Sequence, residues 1–275
     1  MKPILVMALA EIREGIRNRW VIASILLLLV LATSLTLLGS TPVGVIKASQ
    51  LSVTMVSLTS LSIYLIPLIA LMLAFDSIVG EAERGTLLLL LTYPIRRWQI
   101  IIGKFLGHLT ILAIAILLGY GIVALYFAID GVGTAQEWQG YLLMMGSSLL
   151  LGAVFIALGY LVSVIVQQRA TATGISLALW LFIVVFYDLI LLGVLLADKS
   201  HVIQSKLLAL LILFNPTDVY RLFNLTGSDI ATLASGMSGV TQSDLLAPLT
   251  LIMTLILWLI IPLMLSITIF QKREV

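Results

Sequence analysis

The chain has 275 residues, of which 61% are hydrophobic and 10% are charged, and its formal net charge is +2. Soluble domains carry about 25% charged residues, so this composition excludes a soluble enzyme and indicates that lipid surrounds most of the chain. The small net charge argues against nucleic acid as a partner. Because the sequence has no cysteine, disulfides, thiol catalysis and cysteine-ligated metals are also excluded.

The first segment, residues 1–19, is amphipathic. Its apolar residues recur every three or four positions and so share one face of a helix, while acidic and basic residues occupy the other faces. The pattern predicts a cytoplasmic interfacial helix ahead of the first membrane span. The apolar face consists of Leu5, Leu9, Ile12 and Ile16.

Six apolar runs each exceed the roughly 20 residues that a helix needs to cross the hydrocarbon. None of them alternates in polarity as the strands of a membrane barrel do. The sequence therefore predicts an all-α polytopic membrane protein with a single transmembrane domain. The predicted transmembrane helices are 20–39, 55–79, 105–129, 141–164, 173–196 and 247–270.

The distribution of basic residues predicts the orientation of these helices. With six spans, eleven of the 15 Lys and Arg residues fall on the side of the two termini. Cytoplasmic loops carry such an excess of Lys and Arg. Both termini are therefore predicted to be cytoplasmic.

Cytoplasmic residues 80–104 form the most informative segment. A charged stretch is followed by five leucines, after which Pro94 interrupts the pattern, because proline cannot continue a helix. The pattern predicts two short helices at the membrane surface, the second over Ile95–Gly103, with charges that face the cytoplasm and can dock a soluble partner. The candidate contact residues are Glu81, Glu83, Arg84, Gly85, Thr86, Pro94, Arg96 and Arg97.

A second cytoplasmic connection, between the fourth and fifth spans, is very short. It contains Gln167, Gln168 and Arg169. Two interpretations remain open, a simple tight connection and a second contact with the same soluble partner.

A stripe of small residues runs along the fourth predicted span. Ser148, Gly152, Gly159 and Ser163 are spaced so that they share one helix face. Small residues let helix backbones approach closely in a membrane. The stripe therefore indicates either packing within one subunit or the seam of a dimer.

Two acidic residues fall within predicted spans, where ionisable groups are functional candidates by default. Asp76 lies near the cytoplasmic end of its span, so contact with water or Arg84 would explain it. Asp188 lies deeper and is expected to face other helices or a wet cavity. A structural and a functional role for Asp188 both remain open.

The predicted outer segment, residues 197–246, is long for a passive connection. We interpret it as a cover for the outer mouth or a docking platform. Within it, Leu207–Phe214 is apolar but too short to cross the membrane. That stretch predicts a helix outside the bilayer, and a re-entrant hairpin is the alternative.

No catalytic or metal-binding pattern stands out. The only Gly-Lys pair, Gly103-Lys104, lacks the other residues of a phosphate-binding loop. The two histidines, His108 and His201, are predicted on opposite sides of the membrane. Methionine in apolar helices usually serves packing. We therefore expect no catalytic residue, no metal site and no cofactor bound by this chain.

The cytoplasmic segment resembles that of ABC-2-type transporter permeases. The resemblance rests on Glu81-x-Glu83-Arg84-Gly85-Thr86-Leu87, on Pro94-x-Arg96-Arg97 and on Gly103-Lys104, together with six spans after an interfacial helix. It implies the fold of type V exporters, with residues 80–104 as the segment that couples to an ATPase. ATP and magnesium would then bind to that partner chain.

The sequence as a whole resembles the permease subunits of the ABC transporter that assembles the copper sites of nitrous oxide reductase. This resemblance implies a homodimer in a bacterial inner membrane, paired with two cytoplasmic ATPase subunits and a periplasmic β-helical copper-delivery subunit, in denitrification. Two alternatives remain, an ABC-2 exporter of a drug, lipid or other solute and a membrane scaffold without a driven cycle.

Overall fold

The computed structural model describes residues 2–38, 49–197, 205–225 and 246–273. Within these ranges the regular structure is helical throughout, which confirms the all-α prediction. The helices are α1 (Lys2–Arg17), α2 (Arg19–Leu38), α3 (Gln50–Ala74), α4 (Val79–Glu83), α5 (Thr86–Leu91), α6 (Arg97–Ile129), α7 (Ala135–Ile165), α8 (Arg169–Leu181), α9 (Tyr187–Ala197), α10 (Ser205–Leu213), α11 (Pro216–Leu225) and α12 (Pro248–Lys272).

Six helical stretches of the described chain are long and apolar enough to cross a membrane. They are α2, α3 with α4, α6, α7, α8 with α9, and α12, which confirms the prediction of six spans. Several begin earlier than expected, since α6 starts at Arg97 and α7 at Ala135. The physical reason is capping, because Gln99 and Glu137 each bond the backbone at the start of their helix. Charged residues therefore mark the membrane surface without ending these helices.

Helix α7 lies at the centre of the bundle and is largely buried against α3, α6 and α12. Its small-residue stripe faces the interior of the subunit. A Cβ at Gly159 would lie 2.7 Å from the Cβ of Ala74, so the two backbones approach closely there. The hydroxyl of Ser163 accepts hydrogen bonds from the amides of Ile78 and Val79 at 3.0 and 3.1 Å. The stripe thus packs α7 against α3 and α4.

Helix α1 packs along the first part of α6. A Cβ at Gly103 would lie 2.6 Å from Met7, and one at Gly107 would lie 2.6 Å from Glu11. The two glycines are one turn apart and let the helices come into contact. The stripe predicted in α1 faces away from this contact, with Leu5 and Leu9 exposed. Helix α1 therefore contacts α6 through the face that carries Met7 and Glu11, and its predicted apolar stripe points away from α6.

Helices α10 and α11 form a hairpin that enters the bundle. The Asn215 side chain between them donates to the carbonyl of Ile183, and the Trp258 indole donates to the carbonyl of Leu213. Ile183 lies in a π-helical turn, Phe182–Phe186, halfway along the fifth span. The tip of the hairpin therefore lies level with the middle of the fifth span, which favours the re-entrant alternative for Leu207–Phe214 over an amphipathic or buried helix outside the bilayer.

The hairpin tip satisfies its own polar groups, which allows a non-helical turn at this depth. The side-chain oxygen of Asn215 accepts hydrogen bonds from the amide and hydroxyl of Thr217. The buried hydroxyl of Tyr220 lies 2.8 Å from that of Ser148 on α7. Hydropathy could not reveal that the hairpin enters the bundle, because a nine-residue apolar helix has the same hydropathy inside the bundle as outside it.

Much of the predicted outer segment lies outside the described residues, namely 198–204 and 226–245 of the range 197–246. His201 belongs to that part. The idea of a docking platform there stays a prediction.

The re-entrant hairpin predicts slow labelling of its tip. The chain has no cysteine of its own, so Thr217→Cys, at a fully buried position, would report alone. We expect it to react with a membrane-impermeant maleimide at least about tenfold more slowly than the exposed Gln136→Cys, because labelling requires local opening. Equal rates at the two positions would show that residues 205–225 lie outside the bundle.

Candidate functional site

The predicted coupling segment consists of α4, a tight turn and α5. The turn is made by Gly85, whose φ of +72° is readily adopted only by glycine. The Thr86 hydroxyl donates to the carbonyl of Glu81 across this turn. Pro94 lies in the bend after α5. The expected second surface helix over Ile95–Gly103 is absent from the structure, because α6 begins at Arg97 and runs on into its span.

A buried ionic junction lies beneath α4, and we define it as Glu11, Glu81, Lys104 and His108. The Lys104 ammonium lies 2.7 Å from a carboxylate oxygen of Glu11 and 2.9 Å from one of Glu81. The other oxygen of Glu11 lies 3.0 Å from Nε2 of His108. The Lys104 side chain is only 4% exposed. The junction therefore links α1, α4 and α6.

The junction continues into the core of the bundle. Nδ1 of His108 lies 2.8 Å from the hydroxyl of Tyr160, which is fully buried on α7. Four elements, α1, α4, α6 and α7, thus meet through polar side chains at one end of the bundle.

Electrostatics keeps the Glu11 carboxylate ionised in this setting. Burial alone would raise the pKa of Glu11, but hydrogen bonding and charge from His108 and charge from Lys104 outweigh it and lower that pKa to about 2. Two carboxylates therefore share one ammonium. Removal of that ammonium would leave buried charges without a partner, which is far more costly than loss of a surface pair.

A second set of ionic contacts joins the two predicted cytoplasmic segments. One Asp76 oxygen lies 2.9 Å from the Arg169 guanidinium, and the other lies 3.8 Å from that of Arg84. The Glu83 carboxylate accepts a hydrogen bond from the backbone amide of Arg169 at 2.7 Å. Gln168 beside them is the N-cap residue of α8, although its side chain makes no capping hydrogen bond. The short connection thus contacts α4 directly.

The two adjacent arginines of the segment have different surroundings. Arg97 donates to the carbonyls of Phe270 and Gln271, and so interacts favourably with the carboxyl end of α12. Arg96 is exposed at the start of α6. Arg97 is consequently held by internal contacts, while Arg96 is accessible.

Glu81 turns inward, contrary to the expectation that the charges of this segment face the cytoplasm. The outward side of α4 and α5 instead combines polar groups with large apolar side chains, of which Leu89 is 66% and Tyr93 is 65% exposed. We call this side the docking face. Its exposed residues are Glu83, Arg84, Gly85, Thr86, Leu88, Leu89, Tyr93 and Pro94.

Asp188 lies far from these groups along the fifth span, where it faces the re-entrant hairpin. Its carboxylate lies 2.6 Å from the Arg221 guanidinium, which also contacts Asp218 at 3.1 Å. The expectation that Asp188 faces another helix is met by α11. Within the described residues, no group of three or more His, Asp or Glu is arranged to hold a metal.

Sequence reasoning missed the roles of Glu11, His108 and Tyr160 in the junction. One signal was present, because Gly103 and Gly107 flank Lys104 on α6 and mark a close helix crossing. A charge placed at such a crossing requires a partner on the neighbouring helix. Glu11 on α1 is such a partner, because it lies one turn before Gly15, which also packs closely against α6.

The junction predicts a specific pattern of stability. Lys104→Met keeps the length of the side chain but leaves the Glu81 carboxylate without a partner and Glu11 with His108 alone, so we expect a loss of about 3–5 kcal/mol in the free energy of unfolding. Denaturation of the purified chain in detergent measures it.

Two comparisons make this test specific. Lys272→Met, at an exposed position, should have little effect. Adding Glu11→Gln and Glu81→Gln to Lys104→Met should restore most of the lost free energy of unfolding, because neither residue then carries a buried negative charge. If Lys104→Met were as stable as Lys272→Met, the junction would not stabilise the bundle.

Comparison with known proteins agrees with this architecture. Residues 5–275 match the family described as ABC-2 family transporter protein. The chain is 42% identical, over the full length of both proteins, to the probable ABC transporter permease protein NosY of Pseudomonas aeruginosa. It is also 42% identical to the protein of that name from Stutzerimonas stutzeri, over 96% of each chain. The chain therefore belongs to the ABC-2 transporter family, as an ABC transporter permease subunit.

Proposed function

We propose that this permease couples ATP hydrolysis by a separate cytoplasmic ATPase to a task on the periplasmic side of a bacterial inner membrane. The supporting observation is that the docking face is exposed, while the opposite side of the same short helices is tied into the bundle. A permease without a nucleotide site can use ATP only through a contact that moves. ATP and magnesium bind to the partner chain in this proposal.

The ionic contacts support motion of the segment together with the spans. Lys104 ties α4 to α6, Glu11 ties α6 to α1, and Asp76 ties α3 to Arg84 and Arg169. Separating any of these helices would break a partly or fully desolvated ion pair. A force applied at the docking face therefore reaches several spans as one displacement. Gln167, Gln168 and Arg169 form the edge of the same contact region.

The proposed assembly contains two copies of the chain and two ATPase subunits. Each chain has one docking face among its described residues, which supplies one of the two coupling sites of an ABC exporter. In this assembly both termini are cytoplasmic, so that α1, α4 and α5 meet the ATPase from the same side of the membrane.

The proposed task is maturation of the copper sites of nitrous oxide reductase. Its support is the full-length similarity to two permeases named NosY, together with the overall resemblance to permeases of that copper-assembly transporter. A periplasmic β-helical subunit that delivers copper is the proposed outer partner, with residues 197–246 as its contact. Copper is cargo of the assembly here and is not a resident cofactor of this chain.

The docking face gives a direct test of ATPase coupling. Leu89→Asp together with Tyr93→Asp places charge in the exposed apolar centre without touching the ionic junction. Truncation or reversal of central interface residues costs about 2 kcal/mol or more, so we expect co-purification of the ATPase to fall at least about tenfold. Maturation of the reductase in cells should fail with it.

The matched control is Ile129→Asp, at a similarly exposed position on the opposite end of the bundle. It should leave ATPase co-purification unchanged. If the double variant retains both the ATPase and reductase maturation at the wild-type level, α4 and α5 do not form the coupling contact. Loss of ATPase binding without any loss of reductase maturation would contradict the copper proposal alone.

A further inference from the structure

A cavity of about 500 Å³ lies beside the ionic junction, between α1 and α2 on one side and α3 on the other. This volume is within the range of small-molecule sites, which are roughly 300–1,000 Å³. Its deepest wall residue on α3, Leu65, precedes the end of that helix by nine residues, or roughly 13 Å. The cavity therefore extends from the cytoplasmic end of the bundle into one leaflet.

The wall of the cavity changes character along its length. The charged groups lie at the cytoplasmic end, where α1, α4, α6 and α8 contribute them. Further into the membrane the wall is apolar. The apolar part is formed by Val21, Leu27, Leu65, Leu68, Ile69 and Met72. A charged end followed by an apolar end is the profile of an amphiphile whose head group lies at the membrane surface.

The charges on the wall favour a ligand without net charge. The carboxylates of Glu11, Glu14, Asp76 and Glu81 face the cations of Arg84, Lys104 and Arg169. His108, which lines the same end, adds a further cation when it is protonated. Groups of both signs therefore line this end, without an excess of positive charge that would select an anionic lipid. A zwitterionic head group can instead place each of its charges beside an opposite one.

Two of these residues have unused binding capacity. The second carboxylate oxygen of Glu81, Oε2, is buried and has no hydrogen-bond partner among the described residues. A buried carboxylate oxygen requires a donor. The Arg84 guanidinium has only the 3.8 Å contact with Asp76, and half of its side chain is exposed. The Glu81 oxygen thus lacks a donor, and Arg84 has guanidinium N–H groups that its single contact with Asp76 leaves available for a phosphate.

We propose that this cavity binds one aminophospholipid of the cytoplasmic leaflet. Its primary ammonium donates to Glu81, its phosphate contacts Arg84, and the first part of an acyl chain lies between α2 and α3. A choline head group carries no N–H donor and cannot satisfy the Glu81 oxygen. The bound lipid would also exclude water from the ionic junction, which strengthens the ion pairs there.

Native mass spectrometry of the purified chain tests this proposal. The probes are phosphatidylethanolamine, phosphatidylcholine and phosphatidylglycerol with identical acyl chains, each exchanged into the sample. We expect one phosphatidylethanolamine per chain, retained at least about tenfold better than either of the others, as a hydrogen bond to a charged group would give. Glu81→Gln, which keeps the contact with Lys104, should reduce this retention to the level of phosphatidylcholine.

A second pair of variants tests the apolar end without touching any charge. Leu27→Trp fills the cavity and should abolish lipid retention. Leu26→Trp is the same change at the adjacent position, which is exposed on α2 and does not line the cavity. It should retain lipid as the wild type does.

Three results would overturn the proposal. Equal retention of the three lipids would remove the role of the head group, and preference for phosphatidylglycerol would contradict the charge argument. Unchanged retention in Leu27→Trp would place the lipid elsewhere. If Leu27→Trp instead separated two copies of the chain, the cavity would be an interface between copies.

Discussion

The end of the bundle that carries α1, α4 and α5 depends on one buried interaction, the sharing of the Lys104 ammonium between Glu11 and Glu81. A lysine that is 4% exposed in an apolar bundle is tolerated only because both its partners lie within 3 Å. The desolvation of three charged groups is offset only in this one arrangement of α1, α4 and α6. The interaction therefore fixes the relative positions of these helices more than it adds to their stability.

Close backbone packing makes this arrangement possible. Gly103 and Gly107 bring α1 into contact with α6, and the lysine between them in sequence reaches Glu11 as a result. On the other side, Gly159 and Ser163 hold the end of α3 and the start of α4 against α7. The short helices α4 and α5 are thus supported from two directions. Their exposed side is left free for a partner.

Most of the fold was predictable from the sequence, because an uninterrupted apolar run longer than a membrane crossing has few alternatives. The position of α10 and α11 could not be predicted, because hydropathy does not distinguish a short apolar helix outside the bilayer from one that enters the bundle. Only the partners of Asn215, which include the carbonyl of Ile183, reveal its depth. Such partners are set by tertiary packing and leave no periodic signal.

The candidate site was only partly predictable for the same reason. The break at Pro94 is a local feature, and the sequence predicted it. The contact between Glu11 and Lys104 joins residues 93 positions apart, and no local rule pairs them. Glu81 was expected to face the cytoplasm because a charge on a short surface helix usually does. Glu81 turns inward instead because it pairs with Lys104 on α6.

The central claim, that the ionic junction makes α1, α4, α5 and α6 move as one unit, is tested most directly by a spin-label distance. Labels at Thr92→Cys, directly after α5, and Arg13→Cys on α1, both exposed positions outside the docking face, would be measured in the ATPase complex with and without bound nucleotide. The account predicts a distance that changes by less than about 2 Å, the scale of a small helix shift, with a narrow distribution in both states. A larger shift on nucleotide binding in the otherwise unaltered chain would contradict it.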